Sequence, residues 1–72
     1  MRTWTTADYD LLESAIRDGR RLMLLRGGSE FVVIPRALRL VARRETIIAR
    51  HPITGDEVRF PLDEVERFEV VK

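Results

Sequence analysis

Residues 46–71, TIIARHPITGDEVRFPLDEVERFEVV, organise the chain into short strands. In the central segment, EVRFPL at residues 57–62, polar and apolar side chains alternate with a period of two. Val58 and Phe60 therefore share one face of a predicted strand. Gly55, just before this segment, can adopt the positive φ angle that a hairpin loop needs. Together these features predict a small antiparallel sheet.

The N-terminal part of the chain predicts one helix over about residues 6–18. Thr5 followed three residues later by Asp8 resembles a capping box, and Gly19 is a residue type that commonly ends helices. Between these two ends lies an apolar stripe at helical spacing. Residues 1–5 are expected to form a loose end whose tryptophan folds back onto the core.

Beyond the helix, the pattern changes to that of strands. The Gly27-Gly28 pair between two apolar runs is a hairpin signal, and Pro35 must end a strand, bulge out of it or lie at an edge. Arg43-Arg44-Glu45 is expected to turn the chain into the strand that begins at Thr46. The predicted strands span about residues 20–26, 29–34, 38–50, 57–62 and 67–71.

One helix followed by five short antiparallel strands with short connections is typical of an α+β fold. The regular spacing of the strands predicts an SH3-like or Sm-like barrel, formed by a single domain over residues 1–72. A chain of 72 residues has a core that is only marginally sufficient. Since an open small barrel leaves backbone groups unpaired at its edges, we expect self-association through the strand that contains Val70.

The composition excludes several classes of protein. The chain has no cysteine, so neither disulfides nor thiolate metal sites can stabilise it. No apolar run approaches the roughly 20 residues that a membrane span needs. The acidic residues Asp8, Asp10 and Glu13 interrupt any apolar stretch of a signal peptide. We therefore expect a cytoplasmic protein that does not contact membranes.

The charges are distributed unevenly along the chain, although the net charge is only +1. Residues 1–19 carry a net charge of −2 and residues 52–72 a net charge of −3, whereas residues 20–51 carry eight arginines against two glutamates. Such a basic segment attracts phosphates, and single-stranded nucleic acid is a candidate partner. The alternative is that the arginines pair with the acidic ends. The candidate nucleic-acid-binding residues are Arg20, Arg21, Arg26, Arg36, Arg39, Arg43, Arg44 and Arg50.

From Ala15 to Val71 the chain resembles a WYL domain, the Sm-like barrel of many bacterial regulators. The family has a helix end of the form apolar-apolar-x-Ala-Ile, a Pro-x-x-Leu step, the segment Trp-Tyr-Leu-x-Ala and a Phe-Arg-Leu-Asp-Arg-Ile motif. The corresponding segments of this chain are Leu11-Leu12-Glu13-Ser14-Ala15-Ile16, Pro35-Arg36-Ala37-Leu38, Glu45-Thr46-Ile47-Ile48-Ala49 and Phe60-Pro61-Leu62-Asp63-Glu64-Val65.

The chain departs from the family at the residues that give it its name. Glu45 and Thr46 stand where the family has Trp and Tyr, and Pro61 and Glu64 replace the two arginines of the last motif. In WYL domains such aromatic and basic groups are implicated in binding nucleic acid or a nucleotide-like effector. What the resemblance implies for this chain is therefore the barrel rather than the ligand.

The sequence predicts no catalytic residue, metal site or cofactor. His51 is the only histidine and has no second histidine or cysteine to share a metal. Asp63 and Glu64 form a carboxylate pair that is expected to cap backbone amides of a short turn. We therefore expect a protein that is not an enzyme.

Three functional hypotheses follow from these observations. The leading one is a non-enzymatic binding or assembly module, WYL-like in fold, that acts in a regulatory complex or as a homo-oligomer with an unidentified protein partner. The first alternative is a regulator that binds nucleic acid through its basic middle segment. The second is a small-molecule effector sensor, which requires an apolar pocket with convergent polar groups.

Overall fold

The computed structural model describes residues 3–71 of the chain. The described residues form one helix and one antiparallel sheet of five strands, in the order β4-β3-β2-β1-β5, which confirms the α+β prediction. The sheet is not closed, because β4 and β5 are its edges. The elements are α1 (Thr6–Asp18), β1 (Leu22–Arg26), β2 (Ser29–Val41), β3 (Arg44–Arg50), β4 (Glu57–Pro61), a 3₁₀ turn (Leu62–Glu64) and β5 (Arg67–Val70).

Helix α1 has the bounds that its capping residues predict. The Thr5 hydroxyl accepts from the Asp8 amide at 3.1 Å, and the Asp8 carboxylate accepts from the Thr5 amide at 2.9 Å, so the capping box is complete. At the other end, Gly19 adopts a φ of 67° and the Arg20 amide donates to the Ala15 carbonyl at 3.0 Å. Both ends of the helix are thus fixed by local hydrogen bonds.

Trp4 folds back onto the core, as expected for this part of the N-terminal end. Its ring stacks on Phe68 with the centroids 5.0 Å apart, and its indole N–H donates to the Leu62 carbonyl at 3.0 Å. Met1 and Arg2 of the predicted loose end lie outside the described residues. The segment before α1 therefore ties the helix to β5 and to the 3₁₀ turn.

A β-bulge bends the long strand β2. Pro35 pairs with Ala49 and Ala37 pairs with Ile48, so Arg36 has no partner of its own on β3. A proline that cannot donate to the ladder stands at the start of this irregularity. The bulge changes which residues face the core, because Val33 and Pro35 are buried before it and Leu38 packs on the core after it.

The predicted strand over residues 38–50 is wrong, because a two-residue turn divides it. Residues 38–41 belong to β2, and Ala42 and Arg43 form the turn with φ angles of 50° and 67°. The chain turns one residue before the predicted Arg43-Arg44-Glu45 segment. Left-handed backbone at this turn is unusual for residues other than glycine, asparagine and aspartate, which is why the sequence gives no turn signal there.

The core lies between α1 and the concave face of the sheet. Its aliphatic centre includes Leu12 of the helix and Leu22 and Leu24 of β1, all with no exposed surface. Phe31 of β2 and Phe60 of β4 meet across the sheet with their ring centroids 5.4 Å apart. Besides Pro35, the buried apolar residues are Leu12, Ala15, Leu22, Leu24, Val33, Ile47, Ala49, Phe60, Leu62, Val65 and Phe68.

Truncating a core leucine should destabilise the fold far more than the same change at the surface. Leu24→Ala removes side-chain atoms that are fully buried and should lower the free energy of unfolding by about 2–5 kcal/mol. Leu40→Ala is the matched control, since Leu40 is 72% exposed and its loss should cost less than about 1 kcal/mol. Urea unfolding followed by circular dichroism measures both values. Equal losses would contradict this placement of the core.

Glycine at the β2–β3 turn should stabilise the protein. Arg43→Gly removes a side chain from left-handed backbone, which disfavours other residues by about 1–2 kcal/mol, and should raise the free energy of unfolding by about 1 kcal/mol. Arg39→Gly, on the extended part of β2, should instead lower it by a similar amount. The same urea experiment compares the two variants, and a loss of stability in Arg43→Gly would show that this turn is not strained.

Candidate functional site

The fold divides the eight candidate arginines among different parts of the molecule. Arg36, Arg39 and Arg50 lie on the convex outer face of β2 and β3. Arg26 points into the mouth of the curved sheet, and Arg43 and Arg44 lie at the β2–β3 turn, while the two remaining candidates lie between α1 and β1. The basic segment of the sequence is therefore not one continuous surface.

Arg36, Arg39 and Arg50 form what we call the outer-face arginine cluster. On this face Ile48 of β3 stands between Ala37 of β2 and Arg59 of β4. The strand register places Arg50 next to the bulge that contains Arg36, two residues from Ile48 on β3. Arg39 lies on the other side, opposite Thr46. The cluster thus surrounds a small apolar floor.

Two adjoining grooves cross this floor. One has a volume of about 270 Å³ and includes Arg36, Ile48 and Arg50 in its walls. The other has a volume of about 420 Å³ and is lined by Arg36, Arg39 and Arg59, among others. Arg59 was not among the sequence-based candidates because it lies in the acidic C-terminal segment, and only the pairing of β4 with β3 brings it to this face.

The charges of the cluster are not neutralised by the described part of the chain. Arg59 is bonded to Glu57 on the same strand, with Nε 3.0 Å from the carboxylate oxygen. Within residues 3–71, Arg36, Arg39 and Arg50 take part in no ion pair. The outer face therefore presents three exposed guanidinium groups beside one that is paired.

Arg26 has a structural environment rather than an exposed one. Its guanidinium carbon lies 4.6 Å from the ring centroid of Phe60 and 5.1 Å from that of Phe31. The same group donates to the Arg59 carbonyl at 3.3 Å. Such stacking on aromatic faces stabilises the cation and covers the rings. Arg26 therefore closes the mouth of the curved sheet and is not part of the outer face.

Arg44 is held by the 3₁₀ turn. Its Nη2 lies 2.6 Å from Asp63 Oδ1 and 2.7 Å from Glu64 Oε2, and its Nε lies 3.2 Å from Asp63 Oδ2. The prediction that Asp63 and Glu64 cap backbone amides is wrong, because their carboxylates bind Arg44 and no side chain caps this turn. Hydrogen bonds from Arg44 lower the pKa of Asp63, and Asp63 and Glu64 together raise the pKa of Arg44.

Arg43 lies beside an open cleft of about 360 Å³ between α1 and the β2–β3 turn. Trp4 and Tyr9 also line this cleft, with ring centroids 5.9 Å apart. The Tyr9 hydroxyl donates to the carboxylate of Glu45, and this hydrogen bond is the main reason that the pKa of Tyr9 is raised. Trp4 and Tyr9 are thus in contact with each other, and Tyr9 is also bonded to a charged group of the protein.

The β5 edge (Arg67–Val70) adjoins a second kind of surface. Between α1 and β5 lies a groove of about 330 Å³, lined by Leu11, Ala15 and Val70 together with Asp18 and Arg20. Leu11 is 53% exposed, which is high for a leucine on the core-facing helix of a small domain. Arg20 is therefore placed at the β5 edge, far in the strand order from the outer-face arginine cluster.

His51 has a local structural role. Its Nδ1 accepts hydrogen bonds from the amides of Ile53 and Thr54, both at 3.2 Å, and its own backbone exchanges hydrogen bonds with Gly55 and Asp56. The imidazole thus organises the β3–β4 loop. Residues 3–71 contain no group of three or more His, Cys, Asp or Glu side chains that could hold a metal ion.

No protein-family model, curated protein or solved structure matches the chain. The resemblance to WYL domains therefore stays a prediction that rests on the quoted segments. Among residues 3–71, no helix has both the length and the apolar character that crossing a bilayer requires.

The Arg44 network should make the titration of Asp63 depend on Arg44. Arg44→Gln should raise the pKa of Asp63 towards the ordinary value of about 3.9, because the hydrogen bonds that favour the carboxylate are lost. A carboxyl group whose pKa is lowered in the folded protein stabilises the fold at pH values above its pKa in the unfolded chain. This stabilisation is lost as the pH falls through the pKa of the folded protein. The variant should therefore lose less stability on acidification below about pH 4.

Carbon-detected NMR of the Asp63 carboxyl group measures this shift directly. Arg43→Gln is the matched control, since its guanidinium forms no ion pair within the described part of the chain. It should leave the titration of Asp63 unchanged. An identical Asp63 midpoint in the wild type and in Arg44→Gln would contradict the network.

Proposed function

We propose that the chain is a non-enzymatic assembly module that binds a second copy of itself through the β5 edge. The observation that carries this proposal is the open sheet, in which β5 pairs with β1 on one side and has no strand on the other within the described residues. Exposed strand edges are sites at which a further strand adds readily. We therefore propose that a β5 strand of a second copy adds to this edge.

The backbone of β5 is oriented for such an addition. The Val71 amide donates to the Arg21 carbonyl at 2.8 Å, which sets the phase of the ladder between β1 and β5. Because antiparallel ladders alternate, residues 69 and 71 direct their backbone groups towards β1, and Val70 directs its groups to the open side. A strand added there would continue the sheet.

The side chains of β5 are complementary to those of a second copy in the antiparallel arrangement. If Phe68 lies opposite Phe68 of the second copy, Arg67 lies opposite Glu69 of the second copy, and the reverse pair forms by symmetry. Each such pair contributes roughly 0.2–1 kcal/mol. Moving the register so that Glu69 faces Glu69 would instead oppose like charges. The charges therefore favour one register.

The groove beside β5 supports the same arrangement. Leu11 and Val70 form its apolar part, and neither is fully buried in the single chain. The core-facing side chains of an added strand would lie over this groove and remove apolar surface from water, which is favourable by about 25 cal/mol per Å². In the favoured register Glu66 of the second copy approaches the end of the groove that contains Arg20.

We further propose that the sheet is an open small barrel of the SH3-like or Sm-like type. Its supports are the bend in β2 and the contacts between strands that are not neighbours. Arg26 of β1 donates to the backbone of β4, and Phe31 of β2 packs on Phe60 of β4. These contacts indicate that the sheet curls around its core without pairing its two edges.

The small-molecule alternative has less support from the clefts. The cleft beside Trp4 and Tyr9 is open and is lined largely by charged residues, whereas effector pockets are mostly apolar and bury most of their ligand. The carboxylates of Glu45 and Asp63 in this cleft are bonded to Tyr9 and Arg44. The assembly proposal is therefore preferred.

Charge exchange on β5 tests the proposal. Arg67→Glu should weaken self-association by about tenfold, because each of the two symmetric pairs becomes repulsive. The double variant Arg67→Glu with Glu69→Arg should restore it, since the same pairs are rebuilt with the charges exchanged. Sedimentation velocity over micromolar to millimolar concentrations measures the association constant.

Arg59→Glu is the matched control, because it makes the same charge change on β4, the other edge strand. It should leave the association constant unchanged. A wild-type protein that stays monomeric at millimolar concentration would refute the proposal. Failure of the double variant to recover, with its fold intact by circular dichroism, would refute the register.

A further inference from the structure

We infer that the outer-face arginine cluster binds the phosphate backbone of single-stranded nucleic acid. The cluster consists of Arg36, Arg39 and Arg50, which come from two strands and converge around Ile48. Guanidinium groups are well suited to phosphate, because they donate in a planar fork and keep their charge at every physiological pH. The inference is separate from the self-association through β5.

The first argument is the contrast between this cluster and the other arginines. Arg44 is bound by Asp63 and Glu64, and Arg26 is covered by aromatic rings and bonded to a carbonyl. Arg26 Nη1 also lies 3.9 Å from Glu64 Oε1, so the acidic C-terminal segment pairs with both inner arginines. Around the two outer-face grooves, four arginines stand against the single carboxylate of Glu57, which leaves a local charge of +3.

The second argument is the apolar floor between the guanidinium groups. Ala37, Val41 and Ile48 are half-buried on this face and line the larger groove. The bases of a single strand can lie on such a floor, whereas those of a duplex are stacked inside the helix. The α-helix of the described residues packs on the core side of the sheet through Leu12 and Ala15, so this face offers no helix to enter a duplex groove. The surface therefore fits a single strand.

The third argument is the length of the cluster. Arg36 and Arg39 are three residues apart on β2, which corresponds to about 10 Å along a strand. Arg50 lies one strand away, a lateral step of about 4.8 Å. The cluster can therefore contact a few successive phosphates of one strand. Aromatic residues do not contribute on this face, since Phe31 and Phe60 lie on the core side of the sheet.

These features predict weak binding that depends on salt and tolerates different sequences. Three phosphate contacts on a single strand give a slope of about −2 in a plot of log affinity against log salt concentration. Raising the salt from about 50 to 200 mM should then weaken binding by about 16-fold. Arginine planes can stack on bases, but without aromatic platforms a strong base preference is not expected.

The experiment uses the full chain and a fluorescent oligothymidylate of about 12 nucleotides, a length within the range that single-strand binders cover. The test variant replaces Arg36, Arg39 and Arg50 with glutamine. The matched control replaces Arg20, Arg21 and Arg43 with glutamine, which removes the same number of exposed charges elsewhere. Fluorescence anisotropy at several salt concentrations gives the affinity and its salt slope for each protein.

The wild type should bind with a dissociation constant of about 1–100 µM at low salt, and the control should bind within about threefold of it. The test variant should bind at least about tenfold more weakly, with a salt slope near zero. Equal weakening in both variants would show that only the total charge matters and would overturn the inference. Absence of wild-type binding at low salt would overturn it as well.

Two further measurements distinguish nucleic-acid binding from the binding of an acidic polypeptide and from self-association through β5. Polyglutamate of similar length should not compete at equal charge concentration; if it competes as well as the oligonucleotide does, the partner is an acidic polypeptide and the inference is wrong. Arg67→Glu should leave oligonucleotide affinity within about twofold after correction for its charge, because β5 lies outside the cluster. The test of oligonucleotide binding can thus fail while the test of self-association succeeds, and the test of self-association can fail while oligonucleotide binding is observed.

Discussion

The bulge at Arg36 is the constraint on which the rest of the structure depends. A strand of thirteen residues that kept strict alternation would carry Val33 and Pro35 on the core face and would then turn Leu38 outwards. The extra residue reverses this phase, so that Leu38 packs on the core after the bend. The same residue that corrects the core is itself placed on the outer surface. One local irregularity therefore serves both the interior and the convex face of the sheet.

The bend also explains how so short a chain encloses a core without closing its sheet. The bent sheet brings Phe31 of β2 and Phe60 of β4 into contact across the intervening strand, and Arg26 covers the two rings. Cation–π contacts of this kind contribute roughly 0.5–2 kcal/mol and do not require the edges to pair. Because these side-chain contacts hold the sheet in its bent form, β4 and β5 can stay open as edges.

The elements that depend on local chemistry could be predicted from the sequence, and those that depend on long-range pairing could not. Helix α1 was predictable because Thr5, Asp8 and Gly19 fix its ends within a few residues of sequence. The hairpin at Gly27-Gly28 was predictable for the same reason, since both glycines adopt positive φ angles. The β2–β3 turn was predicted one residue too late, because Ala42 and Arg43 adopt such angles without being glycine, so that only the pairing of Val41 with Arg44 fixes its position.

The positions of the arginines on the surface also depend on long-range strand pairing. Charge counting along the sequence treats residues 20–51 as one basic segment, but the strand register separates residues that are close in sequence and joins others that are distant. Arg43 and Arg44 are neighbours in the chain, yet only Arg44 is bound by carboxylates, because the 3₁₀ turn brings Asp63 and Glu64 to one side of β3. Arg59 lies in an acidic segment and still reaches the outer face. The acidic C-terminal part therefore determines which arginines form ion pairs within the described residues. It does so through the pairing of β4 with β3 and not through the overall charge of the segment.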